Sequence, residues 1–163
     1  MRLRCVVPLD AAEPRTPRYR RFEDIRFYVD EDRIGLGLAM MWSRADTVAC
    51  GEALVAEDLH RGILDVDWIP IVANHGWVAI TGNWRIRKNP VEAAVCEQVK
   101  ARIICLHDPR GDQPTWGWLC QLARHWDRVE TFVDEHPHGP WWLSIPPSGP
   151  QELPFRNITS RSL

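Results

Sequence analysis

"IRFYVDEDRIGLGLAM", residues 25 to 40, decides how this chain is read. Residues 25–30 carry Ile25, Phe27, Tyr28 and Val29, an apolar and aromatic run that suits a buried strand. The run ends on Asp30, Glu31 and Asp32, and a helical stretch follows at once over 33–44, with Ile34, Leu38, Met41 and Trp42 expected on one face. Three neighbouring carboxylates at the end of an apolar strand repel one another and cost folding energy, so their presence needs a physical reason.

The same alternation continues along the chain. "DTVAC" (46–50) reads as a short strand and is followed by a polar connection, "GEALVAEDLHRG". Residues 67–75 read as a helix with Asp67 as N-cap, which puts Pro70 in the first turn, where its missing N–H does no harm. "WVAIT" (77–81) is a second buried strand. "NPVEAAVCEQVK" opens a helix with Asn89 as N-cap, Pro90 at the first position and Glu92 completing a capping box. "RIICLHD" (102–108) is a third buried strand. Residues 115–134 form one long amphipathic helix, with Trp116, Leu119, Ala123, Trp126, Val129 and Val133 at helical spacing, and "WWLSI" (141–145) is the last strand. Apolar strands alternating with helices give an α/β fold around a mostly parallel sheet of four or five strands, covered on both faces. The division expected is a basic, partly ordered arm over 1–24, with a short strand near Val6 and Val7, a domain over 25–145 and a tail over 146–163.

Bulk properties bound the function. A chain of 163 residues is most simply one domain. A formal net charge of −2 gives no support for bulk electrostatic binding to nucleic acid, which leaves only local patches such as Arg15, Arg18, Arg20 and Arg21, or else a solvated tail. Nine tryptophans imply aromatic-rich packing or a recognition surface. Five widely spaced cysteines (Cys5, Cys50, Cys96, Cys105 and Cys120) without a C-x-x-C argue for reduced thiols and a cytoplasmic location. The first residues have no apolar run suited to a signal peptide, and no membrane span is expected.

In parallel sheets the site lies beyond the carboxyl ends of the strands, where strand order reverses. Asp30, Glu31 and Asp32 end the first strand, Asp65 and Asp67 open a helix, Thr81 and Asn83 lie at and just past the second buried strand, and Asp108 ends the third. Clustered hard oxygen ligands tolerate one another when a cation joins them, and they suit Mg²⁺ or Mn²⁺. Taken singly, an acid at a helix start is as well explained as a cap favoured by the helix dipole.

The run "FYVDED…DVDWIPIVANHGWVAITGNWRIRKNPVE", with the later "GPWWLSI", resembles the PIN-like nucleases, in particular a branch of VapC-type toxins, over residues 25 to 145. The resemblance implies a three-layer α/β/α sandwich and a metal-dependent ribonuclease, commonly the toxin of a bacterial toxin–antitoxin pair. It implies Asp30 as the first-strand acid that binds metal, Asp65 as the acid before "W-I-P" with Asp67 beside it, and Thr81 as the threonine ending the next strand. Where that family usually has an aspartate two residues beyond the threonine, this chain has Asn83, which removes one charge from the cation site.

On this reading Asp30, Asp65 and Asp67 hold Mg²⁺ or Mn²⁺, and Glu31 or Asp67 orients a water. Thr81, Asn83 and Asp32 support the shell. Arg85, Arg87 and Lys88 of "WRIRK" hold an RNA backbone, and Trp84 stacks a base; a solvated helix approach and a core tryptophan are the plainer accounts of the same residues. His60 and Arg61 approach the edge of the site, whereas His136 and His138 read as a surface turn. The partners expected are an RNA substrate and an antitoxin, for which Trp141 and Trp142 are candidate contacts; a homodimer stays open. The rival accounts are a PIN-like protein that binds RNA or a partner without cutting, and a receiver-like or nucleotide-binding domain. Against the latter, the chain has no Gly-rich phosphate loop.

Overall fold

The computed structural model describes residues 21–107 and 110–155, so Asp108, the first twenty residues and the strand expected near Val6 and Val7 lie outside the described residues. Strand β1 (Phe27–Val29) leads through a single 3₁₀ turn (Glu31–Arg33) into helix α1 (Ile34–Ser43). There follow β2 (Thr47–Ala49), α2 (Asp65–Asn74), β3 (Val78–Thr81), α3 (Pro90–Gln98) and β4 (Arg102–Cys105). Helices α4 (Thr115–Arg124) and α5 (Trp126–Glu135) and strands β5 (Trp141–Ser144) and β6 (Gln151–Leu153) complete the described fold.

One sheet in the order β2-β1-β3-β4-β5-β6 joins all six strands. The first five are parallel, and β6 runs antiparallel along β5 with Leu143 opposite Glu152. Strand order reverses between β1 and β3, because β2 is added on one side of β1 and every later strand on the other. That reversal leaves a crevice at the carboxyl ends of β1 and β3.

Alternation along each strand divides the core into two layers. Tyr28, Val48, Ala79, Ile103 and Trp142 meet Trp68, Ile69 and Val72 of α2 and Cys96 of α3 on one face. Phe27, Val29, Ile80, Ile104 and Trp141 meet Leu36 and Met40 of α1, Trp118 and Leu122 of α4 and Val129 and Val133 of α5 on the other. Covering both faces of a parallel sheet gives the three-layer α/β/α sandwich.

Several elements differ from the sequence reading. The sheet has six strands rather than four or five, because the segment read as a tail contributes β6. Helix α1 buries Leu36, Gly37 and Met40, while Leu38 and Trp42 face solvent. Gly37 decides that rotation: a Cβ there would meet the side chains of Ala49 and Val29 at 2.8 and 3.0 Å, so the helix lies directly on the sheet at its glycine. The helix read over 115–134 is two helices broken at His125, which shifts the buried face from Trp116, now exposed, to Trp118 and Leu122. Trp141 and Trp142 are buried on opposite faces of β5 and offer nothing to a partner. The connection after β2 is not wholly polar, since Val55 and Leu59 reach the core.

Helix α2 is capped three residues earlier than expected. Leu64 is the N-cap, Asp65 and Asp67 occupy the first turn, and Pro70 lies inside the helix, where it removes one backbone hydrogen bond. Burial of Trp68, Ile69 and Val72 offsets that loss, and the early start carries Asp65 to the crevice. Helix α3 begins with Asn89 as N-cap and Pro90 first, as expected, Asn89 Oδ1 accepting from the Val91 amide at 3.0 Å. The capping box does not close, because Glu92 accepts from the Asn89 side-chain amide at 2.7 Å while the Asn89 backbone N–H donates to the Arg85 carbonyl. The four cysteines of the described residues are free thiols. Among those residues no helix is long and apolar enough to cross a membrane.

Candidate active site

An open cleft of about 640 Å³ occupies the crevice, lined by Asp30, Glu31, Asp32 and Arg33 after β1, by Gly82, Asn83, Trp84 and Arg85 after β3, and by Ile63, Asp65 and His107. The parallel pairing of Val29 with Ile80 brings the ends of the two strands level, so Asp30 and Thr81 meet although they are far apart in sequence.

Thr81 is the hub. Its hydroxyl donates to Asp30 Oδ2 at 3.0 Å and accepts from the Asn83 amide at 3.1 Å. The backbone N–H of Gly82 donates to both oxygens of Asp32, at 3.1 and 2.9 Å. Asp30 caps the turn that follows β1 by accepting from the Glu31 amide at 2.7 Å. Asp65 is gripped from two sides, by Trp68 Nε1 at 2.8 Å and by Asn83 Nδ2 at 2.8 Å. Asn83 Oδ1 in turn accepts from the Arg85 amide at 3.2 Å, which holds the loop after β3 in a tight local turn.

The electrostatics of this arrangement are unfavourable as they stand. Asp30 is only 6 % exposed. Burial, followed by the nearby charge of Asp32, pushes its carboxyl up to about 7, against the opposing hydrogen bonds from the Glu31 amide and Thr81. Asp32 is also raised, chiefly by burial, with Asp65 adding repulsion. Three carboxylates from two segments, the turn after β1 and the start of α2, therefore sit within electrostatic reach of one another, an arrangement that a cation beside them would relieve.

A family model described as a PIN like domain matches residues 26–108, just over half of the 163-residue chain and the whole span that builds this cleft. The chain belongs to the PIN-like domain family. PIN-like domains are generally nucleases and typically use divalent metal ions, so membership points to nuclease-type function. No curated protein and no solved structure matches the chain.

The residues of this PIN-like domain fit a divalent cation by donor chemistry, since Asp30, Asp32 and Asp65 offer hard oxygens whose mutual repulsion a cation relieves. Among the described residues no three His, Cys, Asp or Glu side chains already stand together as a cage. Mg²⁺ keeps several of its waters and does not require one.

Not every residue expected here is present. Asp67 is exposed on the first turn of α2 and does not line the cleft, because the early helix start turns it away from Asp65; Asp32 stands with the acids instead. Glu31 lines the cleft, but its carboxylate accepts from the Gly62 amide at 2.6 Å. Of the three basic residues only Arg85 lines the cleft. Arg87 donates to the Pro154 carbonyl at 2.7 Å, and Lys88 Nζ lies 4.0 Å from the centre of the Trp84 ring. His60 and Arg61 do not line it, although their neighbour Gly62 holds Glu31.

Four residues escaped the sequence reading. Arg33 is the fourth residue of "DEDR", Gly82 separates Thr81 from Asn83, and His107 follows β4 with its ring 5.1 Å from that of Trp84. Glu92, read only as a cap, faces Asp65 electrostatically; burial and that charge raise its carboxyl, and its Oε2 is buried without a hydrogen-bond partner. Its position three residues after a helix N-cap fully explained it in sequence and concealed this second relationship.

Proposed function

We propose that the protein is a divalent-metal-dependent endoribonuclease that cuts single-stranded or looped RNA, acting in the cytoplasm as the toxin of a bacterial toxin–antitoxin pair. The observation that carries this reading is the convergence of Asp30, Asp32 and Asp65 around Thr81 and Asn83 at the strand-order reversal of a PIN-like sheet. Asp30, Asp32 and Asp65 would hold Mg²⁺ or Mn²⁺. When bound, such an ion supplies a water of lowered pKa and positive charge at the scissile phosphate.

The protein's own groups do the positioning. Thr81 fixes Asp30 and, through the Asn83 amide, the loop after β3. Trp68 and Asn83 fix the two oxygens of Asp65. Arg85 lends positive charge at the mouth of an acidic cleft, where an RNA backbone needs it. Trp84, with Lys88 over its ring and His107 tilted beside it, offers an aromatic surface for an unpaired base. An antitoxin would find its exposed aromatic side chains at Trp42 and Trp116, which are 84 % and 71 % accessible.

One observation favours a second reading, a weakened nuclease or a protein that binds RNA without cutting it. Asn83 spends its amide as a donor to Asp65, occupying an oxygen that would otherwise be free and replacing a negative charge with a neutral group. The deciding experiment incubates purified protein with structured RNAs in Mn²⁺ or Mg²⁺, with and without chelator, beside Asp30→Ala. Metal-dependent cutting that Asp30→Ala abolishes supports the nuclease; cutting that persists in the variant overturns it. RNA binding without cutting, together with cutting gained in Asn83→Asp, supports the weakened form.

A further inference from the structure

Among the described arginines, Arg33 lies within the acid cluster rather than at its rim. Its Nη1 donates to the Asp32 carbonyl at 2.9 Å and stands 3.8 Å from Asp32 Oδ2, while Nη2 donates to the Leu106 carbonyl at 3.0 Å. The guanidinium carbon lies 4.9 Å from the centre of the Trp118 ring, so the group is clamped between β1, the end of β4 and α4. Its side chain is only 21 % exposed, and Nε is buried without a hydrogen-bond partner. A Lys ammonium could not span two carbonyls and a ring face in this way, since only the planar fork does so.

Gly82 is what admits it. A Cβ at position 82 would coincide with the Arg33 guanidinium, and the backbone of Gly82 is φ-ordinary, so glycine is present here for space. The same glycine gives its N–H to Asp32. Residues 32, 33 and 82 therefore form one unit, in which the chain sets a permanent positive charge against an acid of the site.

Among the described residues that line it, with the carboxylates ionised, the cleft has four negative groups (Asp30, Glu31, Asp32 and Asp65) and two positive ones (Arg33 and Arg85), a net of two negative charges. We infer that Arg33 is a built-in counter-cation of the acid site, seated there by Gly82, so that the site takes one divalent ion and not two. The inference rests on the metal-binding reading above and deepens it. Arg33 is a positioning residue here: it acts on the charge of Asp32 and on how many ions the acids hold, and no contact with substrate is asked of it.

The test is Mn²⁺ binding to the full-length protein followed by titration calorimetry, a readout independent of cleavage. Wild type is expected to bind one ion. Arg33→Gln removes the competing charge and is expected to bind Mn²⁺ about tenfold more tightly, while Arg33→Lys keeps the charge without the planar fork that seats it and is expected to fall between the two. Gly82→Ala guards against a folding defect in Arg33→Gln: it retains the arginine but expels its guanidinium from the acids, and tighter binding is expected there too. Circular dichroism confirms that each variant is folded. Two ions bound to wild type, or an affinity in both Arg33→Gln and Gly82→Ala that is unchanged or weaker, would overturn the role of Arg33 while leaving the metal site standing. No Mn²⁺ binding to wild type would overturn the metal reading and this inference with it.

Discussion

Asp30→Asn is expected to make the metal-free protein more stable at pH 8 while removing the proposed nuclease activity. The carboxyl is 6 % exposed and is pushed from an ordinary value of 3.8 up to about 7, first by burial and then by Asp32. The folded state thus holds this proton more tightly than the unfolded chain does. For this group stability is highest at low pH, falls as pH rises from about 4 to 7, and stays low above that. Raising that carboxyl from 3.8 to about 7 sets an upper limit of about 4 kcal/mol on the penalty at pH 8. Asparagine removes the charge but keeps the shape, and it weakens the charge-assisted bonds from the Glu31 amide and the Thr81 hydroxyl, leaving a net gain of about 2 kcal/mol. In a domain of this size that is a rise in Tm of roughly 5 °C. Scanning fluorimetry in EDTA at pH 8 and at pH 4.5 reads it directly. A variant no more stable than wild type at pH 8, or a gain that fails to shrink toward pH 4.5, refutes the reasoning. Sites that hold like charges for function are where such stability–activity conflicts are expected.

Other outcomes follow from single contacts. Asn83→Asp would place a carboxylate where the amide now sits 2.8 Å from Asp65, so its Tm in EDTA should fall and its gain of Tm on adding Mn²⁺ should exceed that of wild type. Trp68→Phe deletes the donor to Asp65 Oδ1 and leaves a small void against Tyr28; urea denaturation should show a loss of about 1–3 kcal/mol. Arg85→Ala should weaken RNA binding and reduce the slope of log K against log salt by about 0.7, whereas Arg87→Ala, whose guanidinium is turned to the Pro154 carbonyl, should leave that slope unchanged.

The fold was largely legible in sequence because its signals are local. Runs such as "FYV", "VAIT" and "RIIC" are buried on both faces, so they read as continuous apolar strands, and the helices between them force parallel pairing. What failed depended on three-dimensional fit. The buried face of α1 is set by Gly37 lying on Ala49 and Val29, which helical periodicity over bulky residues cannot express. Strand β6 is short, exposed and pairs only along one edge, so its sequence "QEL" carries no strand signal. That Asp30, Asp65, Thr81 and Asn83 would lie near one another was legible because each sits at or beside the end of a recognisable element. Asp67 lies outside the cleft because the helix caps at Leu64, three residues before the cap that Pro70 suggested. Arg33 and Gly82 were missed because their significance is mutual: each is ordinary in sequence, and only the juxtaposition of the ends of β1 and β3 makes one require the other.

The central claim is that carboxylates from separate segments share one cleft because a divalent cation joins them. The most direct measurement is a crystal structure of the protein soaked in Mn²⁺, with anomalous scattering used to locate the metal. The account predicts a peak in the cleft bounded by Asp30, Asp32 and Asp65, lost in Asp30→Ala. A map with no peak in that cleft at saturating Mn²⁺, or with manganese bound only elsewhere on the molecule, would contradict it.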